Sequence, residues 1–367
     1  MIMTDLETII DGDGHLVEDL QGIADHMPAE MRRKYLGTTG TTLTKLFPPL
    51  DHFHSASPIE TPPNSFAQVG VEGWLDFAQD LGIDSAVLYP TAGLSFGKVV
   101  SRDWAIALAS AYNDWLYETY MKGNKRFLGM GLIPMQEPAE AAKELRRCVE
   151  ELGMPGAMLP SAGFKDHLGS KDYWPVYEEA DRLGCALGVH GGAHEGFGFD
   201  HMNVYAPVHA LGHPFGQMIG MAGIVFNGVM DKYPNVKWGY LEGGISWFLL
   251  CLERFDRSYE THIQYDPRNE LIQLKAGERV SDYIKRHVAE GRIYIGCEGT
   301  EPFVGEAIRA AGSGLLFFSS DFPHEVNAEM CKHEIQEILE LEDITDVDRE
   351  GILHRNSVNF YRIKNGN

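Results

Sequence analysis

The chain has 367 residues, 44% of them apolar and 23% charged, the composition of an ordinary globular protein. Its formal net charge of −22 argues against a nucleic-acid footprint, which needs a basic stripe, and against attraction to anionic membranes. The five cysteines, at 148, 185, 251, 297 and 331, form no Cys-x-x-Cys pair, so neither a disulfide framework nor a thiolate zinc site is expected.

The start, Met1-Ile-Met-Thr-Asp-Leu-Glu, lacks the basic and apolar regions of a signal peptide, and no apolar stretch approaches the ~20 residues of a membrane helix. The expected setting is the reduced cytoplasm. In chain order, β-rich runs fall at 7–13, 84–89, 127–133, 156–159, 185–190, 236–241, 292–296 and 315–320. Helical patterns lie between them. Over 171–183, Trp174, Tyr177, Ala180 and Leu183 recur three apart, with Ser170 available as N-cap. Over 245–257, Ile245, Phe248, Leu252 and Phe255 share one stripe. Strand–helix alternation of this kind predicts an α/β fold with a parallel sheet, and eight runs suit a closed barrel in one domain spanning 1–367.

Two regions break the rhythm. Residues 36–70, with Gly-Thr-Thr-Gly-Thr-Thr, Pro48-Pro49 and Pro62-Pro63, read as an insert capping the barrel mouth after the first strand. Residues 191–212 read as a Gly- and His-rich loop after the fifth strand.

Four runs end on a metal-type ligand: Asp13 and His15 on the first, His190 on the fifth, Glu242 on the sixth and Asp321 on the eighth. A buried strand gains nothing from finishing on an ionisable group, so four such endings predict tips converging on a shared polar centre. Asp13 and His15 are two apart and face the same side of a strand. Each ending also has a plain reading as a turn residue or a buried, hydrogen-bonded histidine. Carboxylate and imidazole suit zinc, manganese or iron, so a metal-dependent enzyme with one or two ions is expected. His194, His201, His209 and His213 crowd one segment, and His213 is expected just ahead of a helix, where a helix N-terminus attracts an anionic substrate. No dinucleotide-binding glycine motif, phosphate-binding loop or nucleophile elbow is present.

Several segments together resemble the amidohydrolase superfamily, and specifically the amidohydrolase-2 branch that includes aminocarboxymuconate-semialdehyde and resorcylate decarboxylases. They are Asp11-Gly-Asp-Gly-His-Leu-Val-Glu, Gly-Val-His190-Gly-Gly, His213-Pro-Phe-Gly-Gln-Met, Leu241-Glu-Gly-Gly and Phe-Ser-Ser-Asp321-Phe-Pro-His324. The resemblance implies a distorted (β/α)8 TIM barrel with Asp13, His15, His190 and Asp321 as metal ligands and Asp321 also as base. The chain departs from the superfamily pattern in having Asp-x-His in place of His-x-His and Glu242 in place of a histidine. It also lacks a lysine at the end of the fourth run, so a mononuclear site or a carboxylate-bridged pair involving Glu242 is implied.

The leading expectation is a metal-dependent hydrolase of a small carboxylic-acid derivative: an amide, ester or thioester. Asp321 would take the proton of a metal-bound water, with His213 or His324 holding substrate or protonating the leaving group. Alternatives are non-oxidative decarboxylation of an aromatic or enoic acid, oxygen activation at a di-iron or manganese–iron pair, and a non-catalytic metal-binding subunit. A homo-oligomer and a small carboxylate-type substrate are expected as partners.

Overall fold

The computed structural model describes residues 8–36, 46–50, 63, 69–299 and 301–364. Most of the expected insert at 36–70 lies outside these residues. Where it is described, Leu46 and Phe47 are buried. Trp104 Nε1 donates to Leu46 O at 3.1 Å, and Lys98 Nζ donates to Pro49 O at 2.8 Å and Leu50 O at 3.0 Å. Two helices, Leu20–His26 and Ala29–Leu36, separate this segment from the first strand.

Among the described residues there are nine strands, with helices between all but the third and fourth: β1 Ile9–Leu16, β2 Ile83–Pro90, β3 Phe127–Gly129, β4 Gly131–Leu132, β5 Gly156–Pro160, β6 Ala186–His190, β7 Lys237–Leu241, β8 Ile293–Cys297 and β9 Leu316–Phe318. The run expected at 127–133 is split at Met130, whose N–H donates to Leu88 O at 3.0 Å. That break divides the pairing into a sheet β1-β2-β3 and a sheet β4 through β9, with every neighbour parallel. The far edges also meet: Asp321 N–H donates to Asp13 O at 2.9 Å and His15 N–H to Phe322 O at 2.7 Å. The architecture is a distorted (β/α)8 barrel.

Strand composition explains the burial. β5 and β6 are buried at every position, as parallel strands covered on both faces must be. Glycine is required where layers close up: a Cβ on Gly239 of β7 would sit 2.4 Å from the Phe360 ring. Each fully buried large apolar side chain, such as Phe248 or Phe317, contributes about 1.5–3 kcal/mol.

The helical stripes appear as expected, with adjusted ends. Ser170 caps a short 3-10 turn, Lys171–Tyr173, which leads into the helix Trp174–Leu183 with Val176, Tyr177 and Ala180 buried. The expected helix at 245–257 runs longer, Ser246–His262. The expected loop at 191–212 is only half loop, because a helix spans Tyr205–Phe226. Its Gly- and Pro-rich composition hides it, since Pro214 lies inside the helix where a proline normally marks a break. Among the described residues, no helix is long and apolar enough to cross a membrane.

Candidate metal centre

The register places the chemistry level at one end of the barrel. His190 at the tip of β6 pairs with Pro160 of β5 and Leu241 of β7, so Glu242 begins just beyond its neighbour's tip. In β1 the pairing with β2 shifts register between Asp11 and Gly14, then resumes with Gly14 opposite Leu88 and His15 opposite Tyr89. Glu242 and Asp321 have φ of 52° and 53°. Left-handed backbone is strained for a non-glycine residue, and such strain gathers at functional sites.

Ligand-type atoms of Asp13, His15, His190 and Glu242 lie within 4.8 Å of one another, as do those of His15, Glu242, Asp321 and His324. Asp13, His15 and His190 are fully buried. His15 Nε2 lies 2.9 Å from Glu242 Oε1, 3.6 Å from Asp321 Oδ1 and 3.2 Å from His190 Nε2. His190 Nε2 lies 3.5 Å from both Asp13 Oδ1 and Glu242 Oε1.

The second nitrogen of each histidine fixes its tautomer. His15 Nδ1 faces Pro90 O at 2.9 Å and His190 Nδ1 faces Gly191 O at 3.0 Å. A carbonyl only accepts, so Nδ1 carries a hydrogen in both rings, and Nε2 is the nitrogen facing the centre that would give a lone pair to a metal ion.

Electrostatics favour a cation there. Both carboxylate oxygens of Asp13 are buried without a hydrogen-bond partner, and Oε1 of Glu242 and Oδ1 of Asp321 are buried facing imidazole nitrogens at 2.9 and 2.7 Å. Leaving such groups uncompensated is costly. Burial, aided by His324, lowers the His15 pKa; burial also opposes charge on His190, but Glu242 and Asp13 outweigh it and push that pKa up to about 9. The carboxylates thus draw positive charge onto His190, the same service a divalent ion would give. Imidazole nitrogen and carboxylate oxygen suit zinc, manganese and iron, and these residues fit such an ion.

The remaining histidines sort differently. His324 Nδ1 lies 2.7 Å from Asp321 Oδ1, its Nε2 lies 2.9 Å from Thr91 Oγ1, and its ring stacks on His15 at 4.0 Å. Burial and Glu242 push the Asp321 pKa well up against the pull of His324. His213 reaches the cluster through Nδ1, 3.2 Å from Glu242 Oε2, with its ring beside Gly191. It does not precede a helix, however; it sits inside Tyr205–Phe226, where no free N–H groups remain to attract an anion. His194 is buried against His213, with rings 4.7 Å apart. His209 lies 3.8 Å from Glu325 and His201 is exposed, both away from the cluster.

Sequence reasoning missed Asp11, Thr91 and Glu298. Thr91 follows the tip of β2 and was passed over because threonine is not a metal-type ligand. Glu298 directly follows β8, where burial and the charges of Glu242 and Asp13 push its pKa up to about 7. The strand-ending signal was there to be read. Asp11 is two residues before Asp13, and the same alternation pointed to it.

The amidohydrolase family model matches residues 10–363, and the chain belongs to that family. It is 26% identical over 278 residues, 76% of this chain and 72% of the relative, to a 2-amino-3-carboxymuconate-6-semialdehyde decarboxylase of Dictyostelium discoideum. It is 25% identical to a gamma-resorcylate decarboxylase of Polaromonas sp., over 68% of this chain and 75% of that one. Among solved structures, 5-carboxyvanillate decarboxylase of Novosphingobium aromaticivorans, complexed with manganese and 4-hydroxy-3-methoxy-5-nitrobenzoic acid, aligns with a TM-score of 0.73 at 19% identity, covering 97% of this chain and 96% of that chain. These relatives correct the expected hydrolysis of an amide, ester or thioester. All three are named as decarboxylases, and the strand-tip ligands that suggested an activated water serve that chemistry equally well.

Proposed function

We propose that this protein is a metal-dependent, non-oxidative decarboxylase of a small aromatic or enoic carboxylic acid. The observation that carries the reading is the buried cluster itself, with Asp13, His15, His190, Glu242 and Asp321 converging and both oxygens of Asp13 unpartnered. The similarity to aminocarboxymuconate-semialdehyde and resorcylate decarboxylases supports the choice of reaction. Manganese in the carboxyvanillate decarboxylase structure makes it the first ion to test.

Loss of carbon dioxide replaces the carboxylate by one proton: R–COO⁻ + H⁺ gives R–H + CO₂. His15 and His190 through Nε2, with Asp13, Asp321 and Glu242, would hold the ion. When bound, it supplies a chelating positive charge for the substrate carboxylate and an adjacent oxygen. Asp321 delivers the proton to carbon: its carboxyl shares a hydrogen with His324 at 2.7 Å and stands at the edge of the cluster. Thr91 fixes the far side of the His324 ring and so keeps that hydrogen aimed at Asp321.

The test is to incubate the manganese-loaded protein with ortho-hydroxybenzoates and muconate-type enoic acids in D₂O. Carbon dioxide release with one deuterium on the product carbon is expected, without dioxygen uptake. Oxygen incorporation from water into a cleaved amide or ester, with no carbon dioxide from either substrate class, would sink the proposal.

A further inference from the structure

Asp11 is fully buried, and nothing in the proposed chemistry uses it. Its two oxygens hold three donors. Oδ1 accepts from the backbone N–H of Asp13 at 3.2 Å and of Ser320 at 3.1 Å, while Oδ2 accepts from Ser320 Oγ–H at 2.6 Å. Ser320 Oγ in turn accepts from Phe322 N–H at 3.1 Å. One side chain therefore ties the bulged stretch of β1 to the turn after β9.

These two stretches carry Asp13 and His15 on one side and Asp321 on the other. They are joined by only two backbone bonds, Asp321 N–H to Asp13 O and His15 N–H to Phe322 O, where a regular ladder would supply a longer run. The register shift at Asp11–Gly14 interrupts β1 where it needs support. Local alternatives do not fill the gap, because Tyr361 Oη–H is spent on Gly12 O at 2.5 Å and Trp74 Nε1–H on His15 O at 3.0 Å. Both of those hydrogen bonds end on β1. The Asp11–Ser320 contact adds a side-chain tie to the two backbone bonds and reaches across to the turn bearing Asp321.

We propose that Asp11 is a positioning residue that sets the distance between Asp13 and Asp321, and thereby the affinity of the centre for its metal ion. The inference rests on the metal-site reading above. It predicts a division of labour along Asp11-Gly-Asp13-Gly-His15: the second and third polar residues face the ion, and the first holds the strand that presents them. Loss of a partner that orients a ligand typically weakens metal binding by about 10–100-fold.

The experiment is titration of metal-free wild type, Asp11→Ala, Asp11→Asn and Ser320→Ala with manganese, followed calorimetrically, alongside thermal unfolding of each metal-free form. Wild-type binding is the control: no uptake by wild type would remove the metal-site reading, whatever the variants do. Given wild-type binding, Asp11→Ala is expected to bind about 10–100-fold more weakly. Asp11→Asn is expected within a few-fold of wild type, because its carbonyl oxygen still accepts from Asp13 and Ser320. Ser320→Ala should fall between. Wild-type affinity in Asp11→Ala would overturn the proposal. Equal losses in the Ala and Asn variants, matched by equal losses of metal-free stability, would also overturn it. If Asp11→Ala does not fold, the ordering of Asp11→Asn above Ser320→Ala in affinity carries the decision.

Discussion

Gly14 lies between the two candidate ligands of β1, and adding one methyl group there tests how tightly that strand is held. A Cβ on Gly14 would sit 2.3 Å from Trp74 Cη2 and 3.0 Å from Asp11 Oδ2. Neither neighbour can retreat easily. Trp74 is fully buried, stacked edge-on to Phe77 and Phe322, and bonded through Nε1 to His15 O at 3.0 Å. Overpacking of this kind costs about 1–3 kcal/mol, and displacing the indole forfeits a hydrogen bond worth about 0.5–1.5 kcal/mol. Gly14→Ala should therefore lose about 2–4 kcal/mol in the metal-free protein. At about 2.1 cal/mol/K of unfolding entropy per residue, 367 residues turn that loss into a Tm shift of about 3–5 °C. Trp74→Phe removes the ring atoms the methyl group would strike, so the double variant should recover about 1–2 kcal/mol relative to the sum of the two single losses. Urea unfolding of all four forms measures the cycle. Strict additivity would refute the argument that Trp74 is what Gly14 must avoid.

Asp321→Asn keeps the shape of the β9 turn and removes the acid, so turnover should fall by at least about 100-fold with the fold retained; steady-state rates and circular dichroism check this. Metal content measured by plasma mass spectrometry should be at least one divalent ion per chain and should be lost in His190→Ala, whose Nε2 faces the centre. A second ion would occupy the position shared by Glu242, Asp321 and His324. Far from the site, burial, then Arg292 and Arg286, push the His287 pKa down to about 3 from an ordinary 6.5. Between those pH values the unfolded chain binds a proton that the native protein refuses, so stability falls as pH falls from 6.5 toward 3. His287→Gln should flatten that slope in urea unfolding followed as a function of pH.

The parts of the fold that read clearly from sequence were those with strong local periodicity. The eight β-rich runs appear as strands, because a buried parallel strand must be apolar throughout. Met130 divides one of them through a hydrogen bond to Leu88 that no local pattern encodes. The helix Tyr205–Phe226 was half hidden for the opposite reason: its glycines and Pro214 look like loop, and only tertiary packing of Val208, Met221, Ile224 and Val225 makes it helical. The meeting of Asp13, His15, His190, Glu242 and Asp321 was legible because ionisable strand endings are costly unless shared. The reaction was not legible, since the same ligands serve a water molecule or a carboxylate substrate. The brace formed by Asp11 and Ser320 spans 309 residues, and no window of sequence contains both ends.

That span also orders events in time. A ribosome adding about 5–20 residues per second separates the appearance of Asp11 and Ser320 by about 15–60 s, given the 309 residues between them. Closing a chain segment of that length costs about 5 kcal/mol of entropy by the logarithmic law. The strands bearing His190 and Glu242 are made in the interval, so a nascent chain displays its imidazoles and two acids before the last acid exists. Completion of the centre is thus a late, whole-chain event, and a polypeptide halted short of the ninth strand lacks the contacts that join its first strand to the turn bearing Asp321.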